Sequence, residues 1–375
     1  MCNRVVLIKL ARRILPDSCE NADQANATDR PDVLVIRKRS PSRLTEPPAL
    51  VSPPTAPGKI SSSELEHVEQ SVIRAAREAG KLVASRFEGV LEISSKGDKP
   101  GKDLVTDVDK SSQKLIAGIM AETCPSHMLL GEEDPPDEEP VAADWIWVVD
   151  PVDGTTNFVN SSVIHAVSVA ALYRGVAMAA AMWVPWPNKA GFLLMHARVG
   201  YGTWMEGSKE KVQVHPASET GVPVSGVLAA RPGWFRGMFD VSEPLEGKLG
   251  ENRIGGSSCY EQFMVARGSM QYSITGYAFT WDFAAGPLLV KEAGGKVLVA
   301  NSELKFVEFE GWGQNYANDF ATCGRMRNWR GLLLLGAPKT VDFLAANLRP
   351  RKSWIASLPG RALSKAGRVF AKSQQ

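Results

Sequence analysis

Two aspartates in the stretch WVVDPVDGTTN, Asp150 and Asp153, have the type and spacing of metal ligands. The short β-branched run before Asp150 is typical of a buried strand, so both carboxylates are expected where the chain leaves a sheet. Pro151 stiffens the turn between them, which lets two carboxylates converge on a hard cation. If a helix begins just afterwards, Gly154 and Thr155 offer backbone N–H groups to an anion. These residues indicate a metal-and-phosphate site, although an ordinary loop uses the same residue types and this stretch alone leaves both interpretations open.

Acidic residues also follow or open two other predicted elements. Glu132 and Glu133 come directly after the apolar run 128–130, which indicates a short strand. Asp282 belongs to WDFAAG, at the start of an Ala- and Leu-rich helical stretch that closes at a Gly-Gly pair. The sequence thus predicts a site assembled from separated segments, where strand ends and helix starts meet. For Glu133 the alternative is a solvated acid at the head of the acidic run 132–139.

The order of these motifs along the chain resembles the inositol monophosphatase family of metal-dependent phosphatases. GEE, DPVDGTTNF and WDFAAG followed by EAGG match the family, and DLVTDVD at residues 103–109 matches its N-terminal signature. The resemblance covers roughly residues 62–340. It implies an α/β fold, the layered αβαβα sandwich of the inositol monophosphatase and fructose-1,6-bisphosphatase type, in which helices cover two sheets.

The resemblance also implies a set of metal ligands. In the family, carboxylates at the positions of Glu132, Asp150, Asp153 and Asp282 hold magnesium ions, and the backbone carbonyl at Val152 completes one site. Oxygen-only ligation suits Mg²⁺, because this cation is typically held by a few carboxylates, waters and the substrate phosphate. The five histidines and five cysteines are scattered, and no Cys/His pair has the spacing of a zinc site. Mg²⁺ is therefore the expected cofactor.

Catalytic roles follow from the same resemblance. Glu132 and Thr155 are expected to position the attacking water, with Asp109 and Thr106 behind Thr155 to hold its hydroxyl. The expected reaction is in-line attack of a metal-activated water on phosphorus, without a covalent phosphoenzyme. For Asp109 the alternative is a helix N-cap ahead of residues 110–121.

Substrate contacts are expected from two segments of the chain: Asp153, Gly154, Thr155, Gly256, Ser257 and Ser258. In the second segment small side chains leave room for a polyol, and the alternative is a helix N-cap. Inositol phosphatases typically carry a Glu several residues before the WD motif, whereas residues 272–277 read YSITGY, without an acid. The spacing from Gly276 to Asp282 is also one residue longer than the usual pattern. Both departures weaken the expectation of myo-inositol selectivity and leave the phosphatase chemistry unchanged.

Four functions remain open at this point. The main interpretation is a phosphomonoesterase that acts on a small polyol phosphate, with inositol monophosphate first. The second is the same chemistry on fructose bisphosphate, histidinol phosphate or a 3′-phosphonucleotide. The third is a regulatory protein that keeps the fold without turnover, and the fourth is a scaffold role carried by the tails. Because all four carboxylate positions and Thr155 are retained, loss of turnover is disfavoured.

Composition favours a soluble intracellular enzyme. The chain has 375 residues, of which 44% are hydrophobic, and a net charge of +2 that indicates no nucleic-acid partner. Five widely spaced cysteines favour reduced thiols, and no apolar run approaches the roughly 20 residues of a membrane span. The expected partner is a small-molecule phosphate ester and the favoured compartment is the cytoplasm. The resemblance implies a homodimer.

Three regions divide the chain. Residues 1–60 are rich in Pro, Ser and Arg and are predicted to form a disordered extension. Their basic start leaves a plastid or mitochondrial targeting peptide as an alternative. Residues 61–340 are the predicted phosphatase domain, and residues 341–375 a basic tail. Contact of this tail with anionic lipid is one interpretation, and a solvated, partly helical tail interrupted by prolines is the favoured one.

The elements that must position the site follow from periodicity. The capping box SSSE at residues 61–64 and an apolar stripe from Leu65 to Val83 predict a long first helix. Further helices are predicted over residues 110–121, 257–266 and 283–292. Strands are predicted to run into Gly131 and Asp150 and to cover residues 166–173, 176–184, 270–275 and 296–300.

Overall fold

The computed structural model of the chain describes six stretches of sequence: residues 60–95, 104–134, 143–301, 303–312, 326–327 and 329–351. The predicted extension before Ile60 and the basic tail after Arg351 lie outside them, and so do the targeting and lipid interpretations attached to those segments. A search of the described stretches finds no helix with the length and apolar character needed to cross a membrane.

Helices of very different lengths carry the fold: α1 (Ser62–Arg86), α2 (Asp107–Thr123), α3 (Thr155–Val159), α4 (Phe235–Met238), α5 (Ser258–Ala266), α6 (Thr280–Phe283), α7 (Gly286–Glu292) and α8 (Pro338–Asn347), with a 3₁₀ turn at Glu243–Leu245. The strands are β1 (Ile93–Ser95), β2 (Leu104–Thr106), β3 (Met128–Gly131), β4 (Trp145–Asp153), β5 (Ala166–Tyr173), β6 (Val176–Pro185), β7 (Phe192–Arg198), β8 (Gly202–Met205), β9 (Lys211–Val212), β10 (Leu228–Ala229), β11 (Phe239–Val241), β12 (Glu251–Asn252), β13 (Tyr272–Ala278), β14 (Lys296–Ala300), β15 (Phe306–Glu308), β16 (Gly331–Gly336) and β17 (Leu348–Pro350).

The first layer consists of α1 and α2, which pack against each other and against the larger sheet. α1 begins where the sequence predicts, because the Ser61 hydroxyl accepts the Glu64 N–H at 3.0 Å. The predicted apolar stripe of α1 is buried against β5, β6 and β7.

The start of α2 differs from the prediction. The helix begins at Asp107 instead of Lys110, because Thr106 caps it. The Thr106 hydroxyl oxygen accepts N–H groups of the first turn, and the Asp109 carboxylate accepts the Thr106 N–H at 2.8 Å. Asp109 therefore lies inside the first turn and not at the N-cap position.

The larger sheet contains β3 to β9 in sequence order. β3 and β4 are parallel, and the other neighbouring pairs are antiparallel. β4 is buried along its whole length, which explains its continuous apolar run. It continues to Asp153, beyond the predicted end at Asp150, because pairing with β5 resumes after a register shift between these two residues.

The smaller sheet has the antiparallel order β13-β16-β14-β15. α5 and α7 lie between the two sheets, since both contact β6 on one side and α7 contacts β14 and β16 on the other. Alternate residues of the small sheet face outwards, and there Leu298 and Leu334 form a core with Val341 and Leu344 of α8. The order of layers is therefore αβαβα, and the predicted sandwich is confirmed.

Two predicted boundaries move. The single helix predicted over residues 283–292 is observed as α6 and α7, because Pro287 lacks an N–H and can enter a helix only in its first turn. The domain boundary predicted at residue 340 falls inside α8, and β17 pairs with β11. The folded contacts thus continue to Arg351, past the predicted start of the tail at residue 341.

Candidate metal centre

Asp150 and Asp153 both belong to β4, and a bulge turns them to the same side. A regular strand alternates its side chains between two faces, so positions three apart point away from each other. Here Asp150 and Asp153, three residues apart on β4, pair with Ser168 and Ala166, which are only two residues apart on β5. The extra residue in β4 shifts the alternation of side chains by one position, so both aspartates point to the same face. Both side chains are buried, and a ligand oxygen of each lies within 4.8 Å of the other.

The N-terminus of α5 holds Asp153 in place. Its Oδ2 accepts the Ser257 hydroxyl and, at 2.7 Å, the Cys259 N–H. Ser257 also caps α5 by accepting the Tyr260 N–H at 3.2 Å. The helix-cap alternative for this segment therefore holds for Ser257, and the same hydroxyl fixes a candidate metal ligand.

Gly154 permits this close approach of α5 to β4. Its φ of +87° is in the left-handed region, and a Cβ there would lie 3.0 Å from the Ser257 Cβ and 3.1 Å from the Ile164 carbonyl oxygen. The helix that the sequence predicts after Gly154 is observed as α3, a helix of five residues that begins at Thr155. Binding of phosphate by the Gly154 and Thr155 N–H groups stays a prediction.

Glu132 lies on a loop that α2 holds in place. The Glu132 N–H donates to the Val149 carbonyl oxygen at 3.1 Å, so the start of the loop continues the pairing of β3 with β4. From α2, Gln113 Nε2 donates to Asp134 Oδ1 at 2.6 Å, and Gln113 Oε1 accepts the Glu133 N–H at 2.9 Å. The Glu133 side chain is half-buried. These contacts give the GEE motif a defined backbone next to the two aspartates of β4.

Asp282 reaches the centre from α6. Its Oδ2 accepts the Phe279 N–H at 2.5 Å, which caps the helix. The side chain of Gln262 donates through Nε2 to the carbonyl oxygens of Asp282, at 2.8 Å, and Ser258, at 3.0 Å. Gln262 therefore ties α6 to the first turn of α5.

We call Glu132, Asp150, Asp153 and Asp282 the acidic centre. Burial raises the pKa of Asp150 and of Asp282 well above the ordinary value, and the neighbouring carboxylates raise it further by repulsion. Burial also raises the pKa of Asp153, although hydrogen bonds from α5 favour its charged form. Hydrogen bonding to Glu132 also raises the pKa of Asp150, and hydrogen bonding to Asp153 raises the pKa of Asp282. The fold thus brings together the four carboxylates that the separate motifs supply.

Thr155 lies in the first turn of α3, with Asp109 and Thr106 behind it. Asp109 Oδ2 accepts the Thr106 N–H at 2.8 Å and the Thr106 hydroxyl, which leaves Oδ1 to accept the Thr155 hydroxyl at 3.0 Å. Thr155 Oγ1 also lies 3.1 Å from the Val152 carbonyl oxygen. Burial raises the pKa of Asp109, and these hydrogen bonds oppose the rise. The catalytic roles of these residues, and metal binding by the Val152 carbonyl, stay predictions.

The segment before α5 is held from both sides. Asn157 Nδ2 donates to the Gly255 carbonyl oxygen at 2.7 Å, and the Gly255 N–H donates to Glu261 Oε1 at 2.8 Å. Burial raises the pKa of Glu261 to about 7, although the N–H groups of Gly255 and Gly256 favour its charged form. Gly256 is exposed and Ser258 is half-buried, so solvent reaches both. Their contact with a substrate stays a prediction.

A β-bulge lies in β13, just before the WD motif. Gly276 pairs with Leu332 and Ala278 with Gly331, so residue 277 has no partner opposite it. Thr275 is buried, and its hydroxyl lies 2.8 Å from that of Ser273. The bulge therefore lies within the stretch whose spacing is one residue longer than the usual pattern, and Ser273 and Thr275 supply hydroxyls in the part of β13 where inositol phosphatases typically carry a Glu.

Sequence reasoning missed Cys259, whose thiol joins the acidic centre. Its sulfur lies within 4.8 Å of ligand oxygens of both Asp150 and Asp153. The thiol is fully buried, and burial raises its pKa well above the ordinary value. A search for zinc spacing compares neighbouring residues, whereas Asp153 precedes Cys259 by 106 positions. The available signal was the place of Cys259 in the first turn after the predicted substrate segment.

Comparison with known proteins agrees with this fold and these motifs. The sequence model of the inositol monophosphatase family matches residues 64–327. The Nus factor SuhB of Escherichia coli K12 is 30% identical over 283 residues, which cover 75% of this chain and 95% of that protein. The inositol-1-monophosphatase of Bacillus subtilis is 30% identical over 252 residues, which cover 64% and 87%. The chain belongs to the inositol monophosphatase family.

A solved structure supports the architecture. The extragenic suppressor protein SuhB of Bartonella henselae superposes with a TM-score of 0.56 and 22% sequence identity. The match covers 74% of this chain and 97% of that one, so the shared fold extends over most of the described residues.

Proposed function

We propose that this protein is a Mg²⁺-dependent phosphomonoesterase that hydrolyses a small polyol phosphate, with inositol monophosphate as the first candidate. The observation that carries the proposal is the convergence of four carboxylates from separate segments at one centre, the acidic centre. Membership of a phosphatase family supports it, and one relative is named an inositol-1-monophosphatase.

The donor set of the acidic centre fits Mg²⁺. Hard divalent cations prefer oxygen ligands, and the pKa of Asp150 is raised by burial and, in addition, by repulsion from the other carboxylates of the centre. A divalent cation would remove this repulsion. The four carboxylates and the Val152 carbonyl would hold the cation. When bound, Mg²⁺ supplies positive charge that attracts the phosphate and stabilises the negative charge on the leaving oxygen.

Thr155 would orient the attacking water. Because Asp109 Oδ1 accepts the Thr155 hydroxyl, the lone pairs of Thr155 Oγ1 remain to accept a hydrogen bond from water. Thr106 occupies the other Asp109 oxygen, which keeps the carboxylate from rotating away. Glu132, which contacts Asp150, is the second group that orients the water and the acceptor of its proton during attack on phosphorus.

The rest of the substrate would lie between α3 and α5. The N–H groups of Gly154 and Thr155 would hold phosphate oxygens, with Asp153 beside them. Gly256, Ser257 and Ser258 would face the alcohol part. Since β13 carries no acid, several alcohols deserve direct comparison. Fructose bisphosphate, histidinol phosphate and a 3′-phosphonucleotide are the alternatives to inositol monophosphate.

The test is phosphate release from a panel of these esters, with and without Mg²⁺, by the wild type and by Asp153→Asn. Asp144→Asn is the matched control, because it makes the same change in an exposed ion pair with Arg174. We expect Mg²⁺-dependent turnover, unchanged in Asp144→Asn and lowered in Asp153→Asn by a factor on the order of 10²–10³. Release of phosphate without any metal ion, or full activity of Asp153→Asn, would contradict the proposal.

A regulatory role without turnover is the second candidate, since several relatives are named Nus factor SuhB. It predicts that no ester of the panel releases phosphate, although Mg²⁺ still binds and stabilises the fold. The two functions therefore differ in turnover and agree in metal binding, so the same samples distinguish them.

A further inference from the structure

Cys259 brings a soft ligand into a centre otherwise built from oxygen. Its sulfur and one oxygen each of Asp150 and Asp153 lie within 4.8 Å of one another, and all three side chains are buried. Ligand atoms around a tetrahedral Zn²⁺ with sulfur and oxygen donors are about 3.4–3.6 Å apart, given the usual bond lengths. Shifts of about 1 Å in the three side chains would therefore bring their ligand atoms to bonding distance from one cation.

Ser168 is a second observation that points to a ligand at the same place. It pairs with Asp150 across β4 and β5, and its side chain is fully buried. Within the described stretches, the buried Ser168 hydroxyl has no hydrogen-bond partner. Burial and the neighbouring carboxylates raise the pKa of the Cys259 thiol, and the nearby Ser168 side chain opposes this rise. In known metal sites, polar groups behind the ligands orient those ligands, and the Ser168 hydroxyl would do this for the Cys259 sulfur.

The sulfur changes which cations the centre prefers. Mg²⁺ binds oxygen and gains little from a thiol, whereas Zn²⁺ and Cd²⁺ bind thiolate sulfur strongly. A cation that uses Cys259 would also use Asp150 and Asp153, so it would occupy the place proposed for Mg²⁺.

We propose that Asp150, Asp153 and Cys259 form a capture site for a thiophilic divalent cation, Zn²⁺ or Cd²⁺, that excludes Mg²⁺ from the acidic centre. Binding forms a bond from the cation to the sulfur and releases the thiol proton to solvent. The inference rests on the metal centre of the proposed function but not on turnover. Its consequence is displacement of Mg²⁺ from the acidic centre by trace thiophilic metal.

The test is a Cd²⁺ titration of the full-length, reduced, metal-free protein, followed by the ultraviolet charge-transfer absorption of the cadmium–thiolate bond. Cys259→Ser keeps the side-chain volume, and Cys259→Ala is the second variant. Cys124→Ala is the matched control, because Cys124 is also buried and free but packs between α1, α2 and the large sheet. We expect the wild type and Cys124→Ala to show the same saturable band, and both Cys259 variants to lose the component that saturates at one Cd²⁺ per chain.

Calorimetry with Zn²⁺ and with Mg²⁺ gives an independent measurement. The Zn²⁺ affinity should fall about tenfold or more in Cys259→Ser, whereas the Mg²⁺ affinity should be retained, which also shows that the centre is intact. A cadmium band undiminished in both Cys259 variants, or an unchanged Zn²⁺ affinity, overturns the inference. Neither readout needs phosphate release, so failure of the proposed phosphatase activity would be recognised separately.

Discussion

Two places where the protein buries acidic side chains differ in the charges that surround those side chains. On α1, Glu69 contacts Arg198 at 3.1 Å and His196 at 2.9 Å, both from β7, and its side chain is 7% exposed. We call these three residues the Glu69 cluster. In the acidic centre, by contrast, the charges that act on Asp150 belong to other carboxylates.

This difference shows what distinguishes a structural acid from a ligand. In the Glu69 cluster the positive charge belongs to Arg198, a residue of the protein, so the charge of Glu69 is balanced once the chain has folded. In the acidic centre a balancing positive charge would have to come from solution, so the folded protein can bind a cation there. Burial of an acid is common to both places, and the sign of the neighbouring charges separates them.

The largest expected effect is the loss of the positive charge beside Glu69. Arg198→Met keeps most of the apolar stem but leaves Glu69 buried with His196 alone, and we expect the free energy of unfolding to fall by about 3–5 kcal/mol. Urea denaturation measures the change. Arg174→Met, in the exposed pair with Asp144, is the control and should cost no more than about 1 kcal/mol. An equally small loss in both variants would contradict the comparison.

An intermediate effect is expected when Mg²⁺ is added. A ligand that binds only the folded state, at about 100 times its Kd, stabilises that state by about 2.7 kcal/mol. We expect this gain in the wild type and in Arg198→Met, because the Glu69 cluster lies outside the acidic centre. Asp153→Asn should lose most of the gain. Urea denaturation with Mg²⁺, against NaCl at equal ionic strength, measures it, and an equal gain in Asp153→Asn would refute the distinction.

The smallest effect is a gain in stability from removing one charge of the acidic centre. The folded, metal-free protein raises the pKa of Asp150 above 3.8 and so binds more protons than the unfolded chain. Its stability therefore falls as the pH rises above this value. Asp150→Asn keeps the oxygen that accepts the Val152 N–H and should raise metal-free stability at pH 8 by about 1 kcal/mol, with a weaker pH dependence. A less stable variant at pH 8 would argue against repulsion in the centre.

Local signals in the sequence predicted many of the elements around the site. β5 and β14 cover the predicted residues 166–173 and 296–300, because their apolar runs are continuous and bounded by turns. The first helix starts after Ser61, because a cap depends on residues a few positions apart. Two helix boundaries differ from the predicted ones because a single residue has more influence there than the hydrophobic periodicity of the segment. Thr106 extends α2 towards its N-terminus, and Pro287 divides the helix after the WD motif.

The sequence by itself determined the family, because each motif is a local pattern of residue types at an element end, and the family resemblance implied the αβαβα sandwich and the carboxylates of the acidic centre. Only the tertiary structure decided how these groups face one another. The bulge in β4 turns Asp150 and Asp153 to one side, and the N-terminus of α5 brings Cys259 beside them from 106 residues away. Likewise, Glu69 received its positive charge from β7 only through packing of α1 on the large sheet. The spacing of residues along the chain does not show which face of a strand a side chain points to, nor how far apart two layers lie. These two quantities decide which charged groups come into contact.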